Sequence, residues 1–232
     1  MNTHTPRILS AIFRQLQSRP SLENVGIKEY RDSLEKSART FKLDPAIQFH
    51  PFPSGLVDLQ NIYDWLVQST PPTTRISLVG DSAGAGLGLA FLTSCFNRNT
   101  PLPACAALMS PWADLTCKNK SFETNQGKDP MLNHKQLAET ARLYTNKSLC
   151  HPLVSPLYNT FKGFPPLLIQ AGENEVLVDD SKILAEKIEN AGGKVTLEIW
   201  DGMFHVWHYF ARYLSQGQKA IKVIGKFIQQ HS

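Results

Sequence analysis

Arg75-Ile76-Ser77-Leu78-Val79-Gly80-Asp81-Ser82-Ala83-Gly84 runs directly into Ala85-Gly86-Leu87-Gly88-Leu89-Ala90-Phe91-Leu92. The first five residues form a short, largely apolar run that predicts a strand over 75–79. The later stretch, rich in Ala, Gly and Leu, predicts a helix over 83–97. Between them stands G-x-S-x-G, which in this setting predicts a tight strand-to-helix turn, a nucleophile elbow, that lifts a serine hydroxyl above the sheet edge. Such a turn forces Ser82 into a strained backbone. Gly80 and Gly84 are expected because a Cβ at either position would strike the neighbouring strand or helix. The N–H of Ala83, at the helix start, is placed to receive an oxyanion. The pentapeptide alone also arises by chance; the strand before it and the helix after it give it weight.

Outward from this turn the chain alternates. A helix is predicted over Leu56 to Gln68, with Leu59, Ile62, Leu66 and Val67 near helical spacing, ended by Pro71-Pro72. Downstream, strands are predicted at Ala104 to Met109, Pro166 to Ala171 and Lys194 to Trp200. Helices are predicted around His134 to Tyr144, Asp180 to Ala191 and Gln216 to Gln230. Apolar strands separated by helices of this length imply a mostly parallel sheet with helices on both faces, an α/β fold. Ahead of it, residues 6–19 and 27–42 read as two helices. The expected division is therefore a helical segment over 1–48 and an α/β domain over 49–232. In such sheets ligands gather at the carboxyl ends of the strands. Ser82, the loop after Ala171 and the loop after Trp200 all fall there.

A serine nucleophile needs a base, and the base needs an acid to orient it. His205, in Asp201-Gly202-Met203-Phe204-His205-Val206-Trp207, follows the last predicted strand, where the order nucleophile, acid, histidine puts the base. His208 is its rival. His4 and His231 are terminal, His50 lies in coil, His134 begins a polar helix and His151 precedes a proline. The acid should leave the preceding strand within Gly172-Glu173-Asn174-Glu175-Val176-Leu177-Val178-Asp179-Asp180. Glu173, Glu175 and Asp179 all qualify by type. Asp179 and Asp180 stand where a helix starts and are read as caps of its N–H groups. Glu175 lies in the loop itself and is preferred, with Asp179 as the alternative acid. A second oxyanion donor usually comes from a glycine-rich loop upstream of the nucleophile. Only Gly26 and Gly55 precede Gly80, and neither lies in a His-Gly or Gly-Gly pair.

Composition narrows the remaining classes. At 232 residues, 42% hydrophobic and 19% charged, the chain has an ordinary globular make-up. A net charge of +4 with scattered Lys and Arg gives no support to nucleic-acid binding. Cys95, Cys105, Cys117 and Cys150 show no C-x-x-C spacing, so neither a metal site nor a disulfide framework is indicated, and no cofactor motif is present. A reducing compartment, the cytoplasm, is the expectation. No apolar run is long enough to span a membrane. Arg7, Arg14 and Arg19 without acids faintly suggest a transit peptide, but Ile8, Leu9, Ile12, Phe13 and Leu16 fit one face of an ordinary helix.

These residues together resemble the hormone-sensitive-lipase-like group of α/β-hydrolases, which contains many microbial carboxylesterases. The resemblance is carried by Pro51-Phe52-Pro53 with Asp58 and Trp65, by Gly80 to Gly84, and by Ser110-Pro111-Trp112-Ala113-Asp114-Leu115. Pro152 to Leu157, Pro165 to Ile169, Gly172 to Asp180 and His205-Val206-Trp207 complete it. It implies an α/β-hydrolase fold, with Ser82, Glu175 and His205 as catalytic residues and Ala83 as an oxyanion donor. The acid of the family stands two residues before a leucine, as Glu175 does, and is usually Asp. The resemblance makes residues 1–48 cap helices over the acyl pocket. It also exposes a gap. The family's first strands and its His-Gly-Gly-Gly loop have no counterpart between Asp44 and His50. A truncated sheet of about four strands with one bare edge is expected, open to pairing with another chain. The function implied is a serine carboxylic-ester hydrolase for small-molecule short-chain acyl or aryl esters, with impaired oxyanion stabilisation. Two alternatives stay open: a weak or inactive relative that binds small molecules or is a decayed copy, and a module that completes its sheet with a partner strand.

Overall fold

Strands form where the sequence offers short apolar runs, and the sheet sets their order. In a computed structural model, which describes residues 50–231, helix α1 (Ser54–Ser69) leads to strand β1 (Ser77–Asp81) and helix α2 (Ser82–Arg98). Then follow β2 (Cys105–Met109), a short helix α3 (Ser121–Thr124) and α4 (His134–Tyr144). The chain ends with β3 (Leu167–Gly172), α5 (Val178–Asn190), β4 (Val195–Trp200) and α6 (Ser215–His231). The four strands pair in chain order, all parallel, in register Leu78, Ala106, Leu167 and Val195 across the sheet. The helices expected over 6–19 and 27–42, and the cap over 1–48, lie outside the described residues.

Parallel strands bury both faces, and successive side chains alternate between them. Ala106, Leu108, Leu167 and Ile169 face α2 and α5, packing on Ala85, Leu89, Leu92, Leu184, Ala185 and Ile188. Ala107 and Leu168 face α6 and meet Ile224, with Val223, Phe227 and Ile228 beside it. The expected layering is therefore met. A third cluster brings Leu56 and Tyr63 of α1, Phe91 of α2, and Leu137 and Ala141 of α4 together with Trp112 from the segment after β2. There the Tyr63 and Phe91 rings meet edge-on at 5.0 Å, a geometry that adds about 0.5–1.5 kcal/mol beyond burial. The stripe read from sequence on α1 needs one correction. Leu56 and Tyr63 are its buried positions, whereas Ile62 is 57% exposed. At this spacing a tyrosine one position on completes the inner face better, and hydropathy alone does not separate the two.

Because all four strands point the same way, the segments that leave β1, β2, β3 and β4 emerge at one end of the sheet. They carry Ser82, Ser110, Glu175 and His205. Among the described residues, no helix is long and apolar enough to cross a membrane.

Candidate active site

Ser82 is the first residue of α2 and follows β1 without a spacer, so the chain reverses within one residue. Its φ of +50° is the strained, left-handed value expected for the elbow. Gly80 behaves as anticipated: a Cβ there would stand 2.8 Å from the Gly84 carbonyl oxygen. Gly84 does not. A Cβ at Gly84 would meet nothing within 4 Å, because its Cα faces a cavity rather than the sheet. The close approach falls two residues later, where a Cβ on Gly86 would lie 2.3 Å from the Trp112 carbonyl oxygen. Trp112 N–H in turn donates to Ser82 O at 3.0 Å, clamping the segment after β2 onto the elbow.

His205 and Glu175 converge on this serine. His205 Nε2 lies 2.9 Å from Ser82 Oγ, and His205 Nδ1 lies 3.3 Å from Glu175 Oε2. The carboxylate accepts at Nδ1, so that nitrogen carries the proton, and Nε2 is free to accept from the serine hydroxyl. His205 is nearly buried and Glu175 wholly so. Burial pushes the Glu175 carboxyl above the usual range, and the hydrogen bond and charge of His205 pull it back.

The other candidates have different partners. Asp179 Oδ2 accepts from Ser121 N–H at 2.9 Å and faces Lys182 at 3.5 Å. His208 is buried with its Nε2 2.9 Å from Gln170 Oε1, and burial, followed by the His205 charge, lowers its pKa to about 4. Glu173 is an exposed carboxylate that accepts from Gly202 N–H at 3.1 Å. The capping role read for Asp179 and Asp180 is also corrected. The N-cap position of α5 is Leu177, which offers no side-chain acceptor. Asp180 instead reaches across to the segment after β2, accepting from Ala113 and Asp114 N–H at 2.9 and 2.8 Å and from Asn119 Nδ2 at 2.6 Å. Its burial raises its pKa to about 7.

Sequence reasoning missed the segment that holds the Glu175 loop. Asn125 Nδ2 donates to the carbonyls of Glu173 and Glu175, each at 2.9 Å. Ser121 Oγ donates to Val176 O at 2.6 Å, and buried Asp129 accepts from Val176 N–H at 3.0 Å. The same carboxylate accepts from Met131 N–H at 2.8 Å. Nothing in Gly127-Lys128-Asp129-Pro130 distinguishes this aspartate from one that merely opens a turn.

Beside Ala83 an apolar cavity of about 250 Å³ opens between α1, α2 and α4, lined by Gly84, Leu87, Trp112, Leu115, Tyr144 and Val154. Its size and character suit a short acyl chain or a ring. Ala83, the second residue of α2, presents one of the helix's N–H groups that lack an intrahelical acceptor. Among the described residues, α1 is entered through Pro51-Phe52-Pro53, with no glycine-rich segment before it. No cluster of three or more His, Cys, Asp or Glu side chains that could hold a metal ion occurs among the described residues.

Residues 49–209 match the family model described as alpha/beta hydrolase fold. The chain is 42% identical over 180 residues to an acetyl-hydrolase of Streptomyces hygroscopicus, covering 77% of this chain and 60% of that protein. It is 33% identical to an esterase of Acinetobacter venetianus, covering 79% of this chain and 61% of the other. Among solved structures, an esterase of the bacterial hormone-sensitive lipase family superposes with a TM-score of 0.77 at 40% identity. That match covers 83% of this chain and 64% of the other. A hormone-sensitive lipase from a metagenome library gives 0.77 at 32% identity, covering 83% and 65%. The chain thus spans about three fifths of the length of the curated relatives it matches.

Proposed function

The chain belongs to the α/β-hydrolase family, in its hormone-sensitive-lipase-like branch, and we propose that it hydrolyses carboxylic esters of short acyl or aryl type through Ser82, His205 and Glu175. The observation that supports this most is the 2.9 Å separation of Ser82 Oγ and His205 Nε2 at a strained elbow. In this reading Ser82 Oγ attacks the ester carbonyl as Nε2 takes its proton, and Glu175 stabilises the imidazolium. His205 then returns the proton to the departing alcohol. Water repeats the sequence on the acyl-enzyme, with His205 again as base. The oxyanion rests on Ala83 N–H, and the apolar cavity beside it takes the acyl or aryl group.

Turnover is expected to be slow. Removing one donor from an oxyanion hole costs on the order of 100- to 1,000-fold in rate. Purified protein should hydrolyse p-nitrophenyl butyrate, and Ser82→Ala should abolish it. Activity that survives Ser82→Ala at the wild-type level overturns the assignment. The absence of a second donor loop among the described residues also favours a weak or inactive relative that binds small molecules. Ser82 labelled by a fluorophosphonate, with no ester turnover, would select that reading. All four cysteines are unpaired, which accords with a reducing compartment such as the cytoplasm. Self-association through the outer side of β1 belongs to the same proposal.

A further inference from the structure

Ser110 follows β2 directly, is fully buried and has φ +48°, an unfavourable value for a residue with a Cβ. Such a conformation persists where its neighbours over-determine it. Its N–H donates to Gln170 O on β3 at 2.7 Å, and its Oγ accepts from Val206 N–H at 3.0 Å. Val206 is the residue after His205. A hydroxyl that accepts one hydrogen bond still has a proton to donate.

The acid lacks a matching donor. Glu175 Oε2 receives His205 Nδ1–H, while Oε1, equally buried, makes no hydrogen bond of ordinary geometry among the described residues. An ionised oxygen left so is costly unless a donor is at hand. Asp129 and Asn125 hold only the backbone of this loop. Besides His205, the Ser110 hydroxyl acts on this carboxylate to favour its ionised form.

We propose that Ser110 is a positioning residue for this reaction: its O–H donates to Glu175 Oε1 while its Oγ accepts from Val206 N–H. One hydroxyl then fixes the acid against the backbone that carries the base. The inference rests on the reading of Ser82, His205 and Glu175 given above. Ser110 touches no reacting atom and acts only through Glu175.

A double-mutant cycle tests it, using Ser110→Ala, Glu175→Ala and their combination, with Ser82→Ala as control. The readouts are kcat and KM for p-nitrophenyl acetate, the rate of fluorophosphonate labelling at Ser82, and thermal melting. Ser110→Ala should lower kcat and the labelling rate about 10-fold, the worth of one hydrogen bond to a charged group, with KM nearly unchanged. In the Glu175→Ala background that loss should vanish, since the oxygen it served is gone. Should Ser110→Ala fail to fold, Ser110→Gly, which relieves the positive φ and also removes the hydroxyl, takes its place. An equal loss in both backgrounds, or an unchanged kcat in the single variant, overturns the inference while leaving the catalytic reading intact. Full turnover by Ser82→Ala or Glu175→Ala overturns both.

Discussion

Glu175 and Asp179 stand four residues apart and carry the same group, yet the fold gives them different partners. Glu175 is wholly buried beside His205 Nδ1, whereas Asp179 bonds to the start of α3. Glu175→Gln should lower kcat/KM by on the order of 1,000- to 10,000-fold, as a histidine held in the wrong tautomer does. Asp179→Asn should leave kcat/KM within a few-fold and lower the melting temperature by a few degrees, about 1 kcal/mol for one hydrogen bond. Steady-state kinetics and melts of the two variants decide it, and the opposite ranking would hand the role to Asp179. At this scale the sequence was informative where a residue's place depends on its own loop, as with Ser82, Glu175 and His205, which the structure brings together. It was silent where the partner is distant. Asp129 meets Val176 across 47 positions, and Asp180 meets Ala113 across 67. No local pattern marks either aspartate.

Elements were legible because their signals are local. The predicted strands and helices from 56 onward match those observed to within two residues at each end, since apolar runs and proline breaks determine them directly. What was not legible is how closely elements approach. The sequence offered Gly84 as the tight position on α2, and the packing makes it Gly86, under the Trp112 carbonyl. Gly86→Ala should therefore destabilise by about 1–3 kcal/mol through overpacking. Gly84→Ala should be neutral or stabilising by up to about 1 kcal/mol. Equal denaturant midpoints for the two variants would refute this.

Asp180 joins α5 to the segment after β2, and its pKa near 7 lies well above the ordinary value of about 3.9. A carboxyl whose folded pKa is raised contributes stability that is full below about pH 4 and lost as pH rises through about 7. Asp180→Asn keeps an oxygen for the Ala113 and Asp114 N–H groups, and the Asn119 amide can turn to accept from its nitrogen. Melting curves from pH 4 to 7 should show wild type losing stability relative to Asp180→Asn as pH rises. Parallel curves would show that Asp180 does not titrate in that window.

The described residues form a four-stranded parallel sheet in which β1, the strand that leads into Ser82, stands at one end of the order. Four strands with β1 at one end were expected from the sequence, because the motifs from Pro51 to His205 run unbroken while no glycine-rich loop precedes them. Among the described residues nothing pairs the outer side of β1. Each of its outward N–H and C=O groups must find water or another strand. Val79 on β1 is 46% exposed, so apolar surface accompanies the open ladder. Helices can cover a sheet face, but they supply no ladder hydrogen bonds. The outcome expected is concentration-dependent self-association with β1 as the pairing edge. Val79→Lys places a charge on that strand, the device by which natural edge strands resist pairing. It should shift sedimentation-velocity profiles toward monomer while leaving the fluorophosphonate labelling of Ser82 unchanged. A protein that sediments as a monomer across the accessible concentrations, with Val79→Lys indistinguishable from it, would show that the edge of β1 is closed within the chain itself.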